Sequence, residues 1–198
     1  PNAAYRHFAN HQELTAAVRA AALSALAMAM EDELAALPRS GKPGELARNC
    51  LRAVGTGYLR FARAEPGLFR TAAAFGEEDR AGDPAKAGRS GLNPFELLCA
   101  ALDRLADAGL LPAQRRPGAE YLAWSAVHGM ALLAMDGPLR SVPEARLRAL
   151  GDRLLEMVER DDAQGLGDMP YPPSYPKMPG EPKRVQPSRA RHDDESES

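Results

Sequence analysis

The sequence predicts an all-α protein, and three observations carry that expectation. No stretch alternates apolar and polar residues between hairpin turns, so nothing reads as a strand. Alanine, leucine, arginine and glutamate dominate, and each favours helix. Apolar residues recur every three or four positions between recognisable caps and breakers.

The first long helix opens at Asn10, which forms a capping box with Glu13, and runs to about Leu37, where Pro38 and Gly41 stop it. Its stripe is Leu14, Val18, Ala22, Leu26, Met30 and Leu37. A second helix is expected over about 44–65, stacking Leu46, Cys50, Val54, Tyr58 and Phe61 until Pro66 ends it. A short third follows through Leu68, Phe69 and Phe75, and residues 76–92, rich in Gly, Asp, Glu and Arg without periodicity, predict a mobile loop. Asn93 as N-cap and Pro94 in the first turn then start a helix carrying Phe95, Leu98, Leu102 and Leu105, with Gly109 at its end.

The last two helices carry more apolar surface than one small domain needs. The first, about 118–135, has Tyr121, Trp124, His128, Ala131 and Met135 on one side and Leu122, Ala126 and Leu133 opposite. A helix apolar around most of its circumference is covered on both sides. The final helix, about 143–160, shows Leu147, Leu150, Leu154, Met157 and Val158. The pair predicts a homodimer built as a four-helix bundle, with Trp124, His128, Gly129, Leu147, Leu150, Leu154 and Met157 at the interface. Gly129, costly in mid-helix, is expected to admit a neighbouring helix.

Composition sets the outer bounds. With 198 residues, a net charge of −2 and 44% hydrophobic residues, the chain is one globular unit with appendages rather than a disordered polymer. Its apolar runs fall short of the roughly 18–20 residues of a membrane span, so no transmembrane helix is expected. No secretory signal pattern stands at the start, and the two cysteines, Cys50 and Cys99, lack any paired spacing. Buried reduced thiols in a cytoplasmic protein are the expectation. The charge divides unevenly: residues 1–160 hold 20 Lys+Arg against 19 Asp+Glu, whereas 161–198 hold 5 against 8, with 7 of the 17 prolines. That tail is expected to be disordered, since it has too little apolar surface to offset its ordering entropy.

The opening Pro1-Asn2-Ala3-Ala4-Tyr5-Arg6-His7-Phe8 describes a short helix with Ala4 and Phe8 on an apolar side and polar groups elsewhere. Together with the Asn10–Leu14 helix start, Tyr5-Arg6-His7-Phe8 resembles the recognition helix and following turn of the TetR/AcrR family of bacterial transcriptional regulators. A second segment strengthens the resemblance: Trp124-Ser125-Ala126-Val127-His128-Gly129, closed by Asp136-Gly137-Pro138, is similar to the C-terminal domain of a TetR subgroup named for its Trp, His and Gly.

The resemblance implies an organisation and a mechanism. Residues 1–18 would be the C-terminal part of a helix-turn-helix domain, residues 19–160 a helical ligand-binding and dimerisation domain, and 161–198 the tail. Asn2 and Ala3 would face base edges in the major groove of operator DNA, Tyr5 and His7 phosphates, and Arg6 either a phosphate or a guanine. His11 stands where the family usually has a phosphate-holding Lys, so its contact would be weaker and pH-sensitive. An apolar small-molecule pocket would lie among Tyr58, Phe61, Phe69, Phe75, Leu98, Leu102, Tyr121 and Met135, most of which also serve as core. The function implied is a dimeric repressor that releases its operator on binding an effector. The alternative is a helical protein that dimerises and binds ligand without reading DNA, because the two helices that open the family's DNA-binding domain do not precede Pro1.

Catalysis is not expected. His7, His11, His128 and His192 lack metal-ligand spacing, and there is no glycine-rich phosphate loop or nucleophile elbow, so neither metal nor cofactor is anticipated.

Overall fold

The computed structural model describes residue 8, residues 10–74 and residues 83–164, with the side chains of the last helix described through Val158. Six helices follow in order: α1 (His11–Ala35), α2 (Pro43–Ala64), α3 (Pro66–Ala73), α4 (Pro94–Asp107), α5 (Ala119–Met135) and α6 (Glu144–Gln164). A 3-10 turn at Pro84–Lys86 lies between α3 and α4, and no strand occurs among the described residues.

Local chemistry sets the helix starts. The Glu13 backbone N–H donates to the Asn10 side-chain oxygen at 2.9 Å. At α4, Asn93 and Glu96 exchange both bonds of a capping box, at 2.9 and 2.8 Å. Proline occupies the first turn of α2, α3 and α4, where its missing N–H costs nothing. α1 ends at Ala35, short of Leu37: Ala36 N–H makes the last helical bond, to Asp32 O, and Leu37 N–H tightens to Leu34 O ahead of Pro38. α6 runs to Gln164, past the expected end near residue 160.

α2 is the central helix, packing on all five others. Ten of its residues are buried, from Ala47 to Ala62. Its crossing with α1 is close enough that a Cβ on Gly57 would stand 2.6 Å from Met30 Cα and 2.8 Å from the Ala29 carbonyl oxygen. Only glycine fits there without moving a helix backbone.

One expected stripe is corrected, and a second gains a residue. On α1, Ala22, Leu26 and Met30 are buried but Val18 is 46% exposed, because burial begins only at Ala20 and the first turns lie beyond the helices that cover the rest. On α6, Leu147 and Leu155 are the buried residues, whereas Met157 is 52% exposed. Leu155 turns toward α2, where Gly55 gives it room. Leu154 packs at the edge of the core beside it, and Met157 stays on the outside of the chain.

The segment expected to be a loop is ordered where it is described. Residues 83–92 form the 3-10 turn and a stretch hydrogen-bonded to α1, with Ser24 Oγ donating to the Ala87 carbonyl at 2.7 Å. Residues 75–82 lie outside the described residues, as does the tail from 165 onward.

One expectation about membranes also changes. α1 is long and apolar enough, by length and composition alone, to cross a bilayer. Its apolarity comes largely from alanine, and its inner face packs on α2, α3 and α4 as a core helix does.

Candidate functional site

An aromatic cluster forms where α2, α3 and α5 converge. Tyr58 is one helical turn before Phe61 on α2, and Phe69 lies on α3 with no exposed surface. Across from them, α5 brings Trp124 and His128, four residues apart and on one face. The Tyr58 and Phe69 rings meet edge to face at 5.2 Å, and His128 stacks on Phe69 at 5.7 Å with 28° between planes. Trp124 leans on Phe95 of α4 at 5.2 Å, and Phe95 also meets Tyr121 at 5.7 Å.

A short polar relay threads this apolar centre. The Tyr58 hydroxyl lies 2.8 Å from His128 Nδ1, and the Trp124 indole donates to the same hydroxyl oxygen. Indole N–H can only donate, so the hydroxyl keeps its own proton for the imidazole, and we assign His128 as neutral with its proton on Nε2. Burial favours that state, holding the His128 pKa below the usual 6.5. Burial likewise pushes the Tyr58 phenol up to about 12, against the opposing pull of the Trp124 bond. At neutral pH the centre is therefore uncharged, with hydroxyl and imidazole tips in a hydrocarbon setting.

The sequence had placed His128 on an interface and Tyr58 and Phe69 at a ligand site; the fold joins all three. Tyr58, Phe61, Phe69, Leu98, Leu102 and Met135 belong to one buried core cluster. Tyr121 is 38% exposed at the cluster's edge, and Phe75 lies outside the described residues. Of the DNA-contact residues, Asn2, Ala3, Tyr5, Arg6 and His7 also lie outside them. His11 is exposed at the first turn of α1, its carbonyl accepting from Thr15 Oγ at 2.8 Å.

The expected interface residues divide into two groups. His128 and Leu147 turn into the chain's own core, and Trp124 and Leu154 pack against it. Leu150 is half-buried. Gly129 meets nothing within 4 Å of where a Cβ would stand, and Met157 is exposed. Around Gly129 the outer face of α5 carries Leu122, Leu132 and Leu133, exposed by 63%, 42% and 46%. Leu122, Ala126, Gly129 and Leu133 follow helical spacing, so they form one apolar strip.

Sequence reasoning missed Arg116. Its guanidinium donates to Asp103 of α4 and Glu120 of α5, both at 2.7 Å, and to the Cys99 carbonyl at 3.3 Å. It ties α4 to the start of α5. The four-residue spacing of Arg116 and Glu120 was the available signal. Cys99 nearby is an unreactive thiol, its pKa raised to about 11 by burial and by Glu120. No group of three His, Cys, Asp or Glu among the described residues is arranged to hold a metal.

Five helices packed on a central α2, with no strand among the described residues, make an all-helical TetR-like fold. Residues 51–158 match the model of the tetracyclin repressor-like C-terminal domain, and the chain belongs to the TetR family. Comparison with curated proteins and with solved structures found no match. TetR-family C-terminal domains are regulatory rather than catalytic, and transcription regulation is the family's role.

Proposed function

We propose that this chain is a dimeric, ligand-responsive transcriptional repressor of the TetR family, of the subgroup marked by Trp124, His128 and Gly129. One observation carries the reading: α5 presents the Tyr58–His128 relay and Phe69 on its inner side and the Leu122–Gly129–Leu133 strip on its outer side. A single helix then serves both effector and partner subunit. An apolar effector settles against Phe69 and His128, and a second copy covers the strip through α5 and α6, with Met157 at its edge. Operator DNA is read by the opening segment, with Asn2 and Ala3 at base edges and Tyr5, Arg6, His7 and His11 on or near phosphates. The effector binds best to a conformation whose two reading segments are wrongly spaced for successive major grooves, and typical couplings of about 1–3 kcal/mol suffice to release DNA.

The test is operator binding by the complete gene product. At moderate salt it should retard its own upstream DNA and not an unrelated fragment; no sequence-specific shift overturns the repressor reading. Leu133→Glu, which sets a charge on the strip, should convert a dimer to a monomer in sedimentation and abolish the shift. A wild-type monomer in sedimentation overturns the dimer.

A further inference from the structure

Glu31 is held by a receptor that the family reading does not use. It lies near the C-terminal end of α1, four residues before Ala35, its side chain only 10% exposed. One carboxylate oxygen accepts the Ser90 backbone N–H at 2.8 Å and the Ser90 hydroxyl at 2.5 Å. The other accepts the Arg89 backbone N–H at 2.8 Å and lies 3.6 Å from the Arg89 guanidinium. Consecutive N–H groups aimed at one anion form a carboxylate nest. The nest exists only because residue 88 is glycine: a Cβ there would stand 2.6 Å from both Glu31 oxygens.

The grip continues on both sides. The Arg89 guanidinium also pairs with Asp32 and donates to the Met28 carbonyl at 3.3 Å. Ser24, seven residues before Glu31 and on the same face of α1, donates to the Ala87 carbonyl at 2.7 Å. Seven residues of helix span about 10 Å, so the segment lies along α1 for that distance. Only Gly91 and Leu92 separate Ser90 from Asn93, the capping residue of α4. A displaced carboxylate at Glu31 is thus transmitted over two residues to the start of α4.

We propose that residues 87–92 are a strap that fixes the C-terminal half of α1 relative to α4, with Glu31 as its fastening and a positioning residue for the direction of α1. Release of Glu31 frees α1 to change its direction against the α2–α5 core. The consequence for DNA, a change in operator affinity, rests on the repressor reading above, since α1 carries the opening segment at its N-terminal end. The contacts that Arg89 and Ser90 make with Glu31 and Asp32 are polar and suit a reversible fastening, because water replaces each of them once the strap lifts, while Leu92 stays packed at the edge of the core.

Hydrogen exchange on the full chain tests the strap directly. Glu31→Gln places an amide donor against backbone donors, so peptides spanning 86–92 and those of α1 should exchange at least tenfold faster than in wild type. Peptides around Tyr58 should not change. Ser90→Ala, which keeps both backbone bonds, should give a smaller rise at the same places and covers the case in which Glu31→Gln does not fold. Wild-type residues 86–92 exchanging as freely as an unstructured peptide would overturn the proposal. So would acceleration confined to the strap while α1 stays unchanged in both variants. Where wild type retards its operator, either variant should shift that affinity at least threefold without loss of the helical signal. An unchanged affinity rejects the coupling to DNA. Where wild type shows no shift the repressor reading fails, and the exchange result alone decides the strap.

Discussion

The seam between α1 and residues 87–90 and the centre around His128 are built on opposite terms. In the seam, charged and backbone groups meet near the surface, and nearly every contact is a hydrogen bond or an ion pair. In the centre, rings pack on one another around the buried Tyr58 and Phe69, and the Tyr58 hydroxyl is the polar hinge of a relay between two residues of α5. Contacts of the first kind are exchangeable with water, so they set direction more than stability. Contacts of the second kind are not exchangeable, and their loss leaves a void or an unpartnered polar atom.

Breaking the centre should therefore have the largest effect. Phe69→Ala removes a ring with no exposed surface and should cost about 3–5 kcal/mol in denaturant unfolding. A loss below the scale of a surface substitution would erase the contrast between the two regions. Tyr58→Phe is subtler, since it keeps the ring and strands the Trp124 indole and His128 Nδ1. Its expected cost is about 1–3 kcal/mol, measured the same way.

Acidity separates the regions by their windows. His128 is held neutral by burial, with its folded pKa below 6.5, so the unfolded chain takes up a proton that the folded chain refuses. Stability should fall as pH drops through 6.5 toward that lower value, and His128→Gln should flatten the slope. Glu31 behaves differently. Its bonds to Ser90 and Arg89, and the Arg89 charge, outweigh burial and hold its pKa below 4.5. Its contribution is present above 4.5 and disappears only as pH falls through the lower folded value. Thermal melts between pH 6.5 and 4.5 should accordingly weaken the centre while the strap stays fastened. The smallest effect belongs to Arg70, whose bond to Asp136 at 2.5 Å joins α3 to the end of α5 in full solvent. Arg70→Ala should leave the thermal midpoint within measurement error.

How much of this was legible in the sequence follows the range of the interactions. Asn10, Asn93, Pro94 and Pro66 act within one turn, and the helix boundaries they imply lie within a few residues of those found. The surplus apolar surface of α5 was equally readable, because one helix carries both faces. Which face holds His128 was not readable, since its hydroxyl partner lies 70 residues away. The strap left even less trace: Glu31 and Ser90 are 59 residues apart, and a polar, aperiodic stretch such as 83–92 reads as a loop whether or not a carboxylate receives it. The unforeseen burial of Leu155 on α6 has a related cause. Leu154 and Leu155 are equally apolar, and only the hollow at Gly55 on α2 selects the second.

Trp124 is the chain's only tryptophan, and it stands where α4, α5 and the Tyr58 hydroxyl come together. Its emission therefore has a single origin and needs no label. A molecule arriving beside His128 alters the surroundings of the indole, and a change in the angle of α4 alters its distance from Phe95. The protein carries its own optical gauge where α2, α4 and α5 meet.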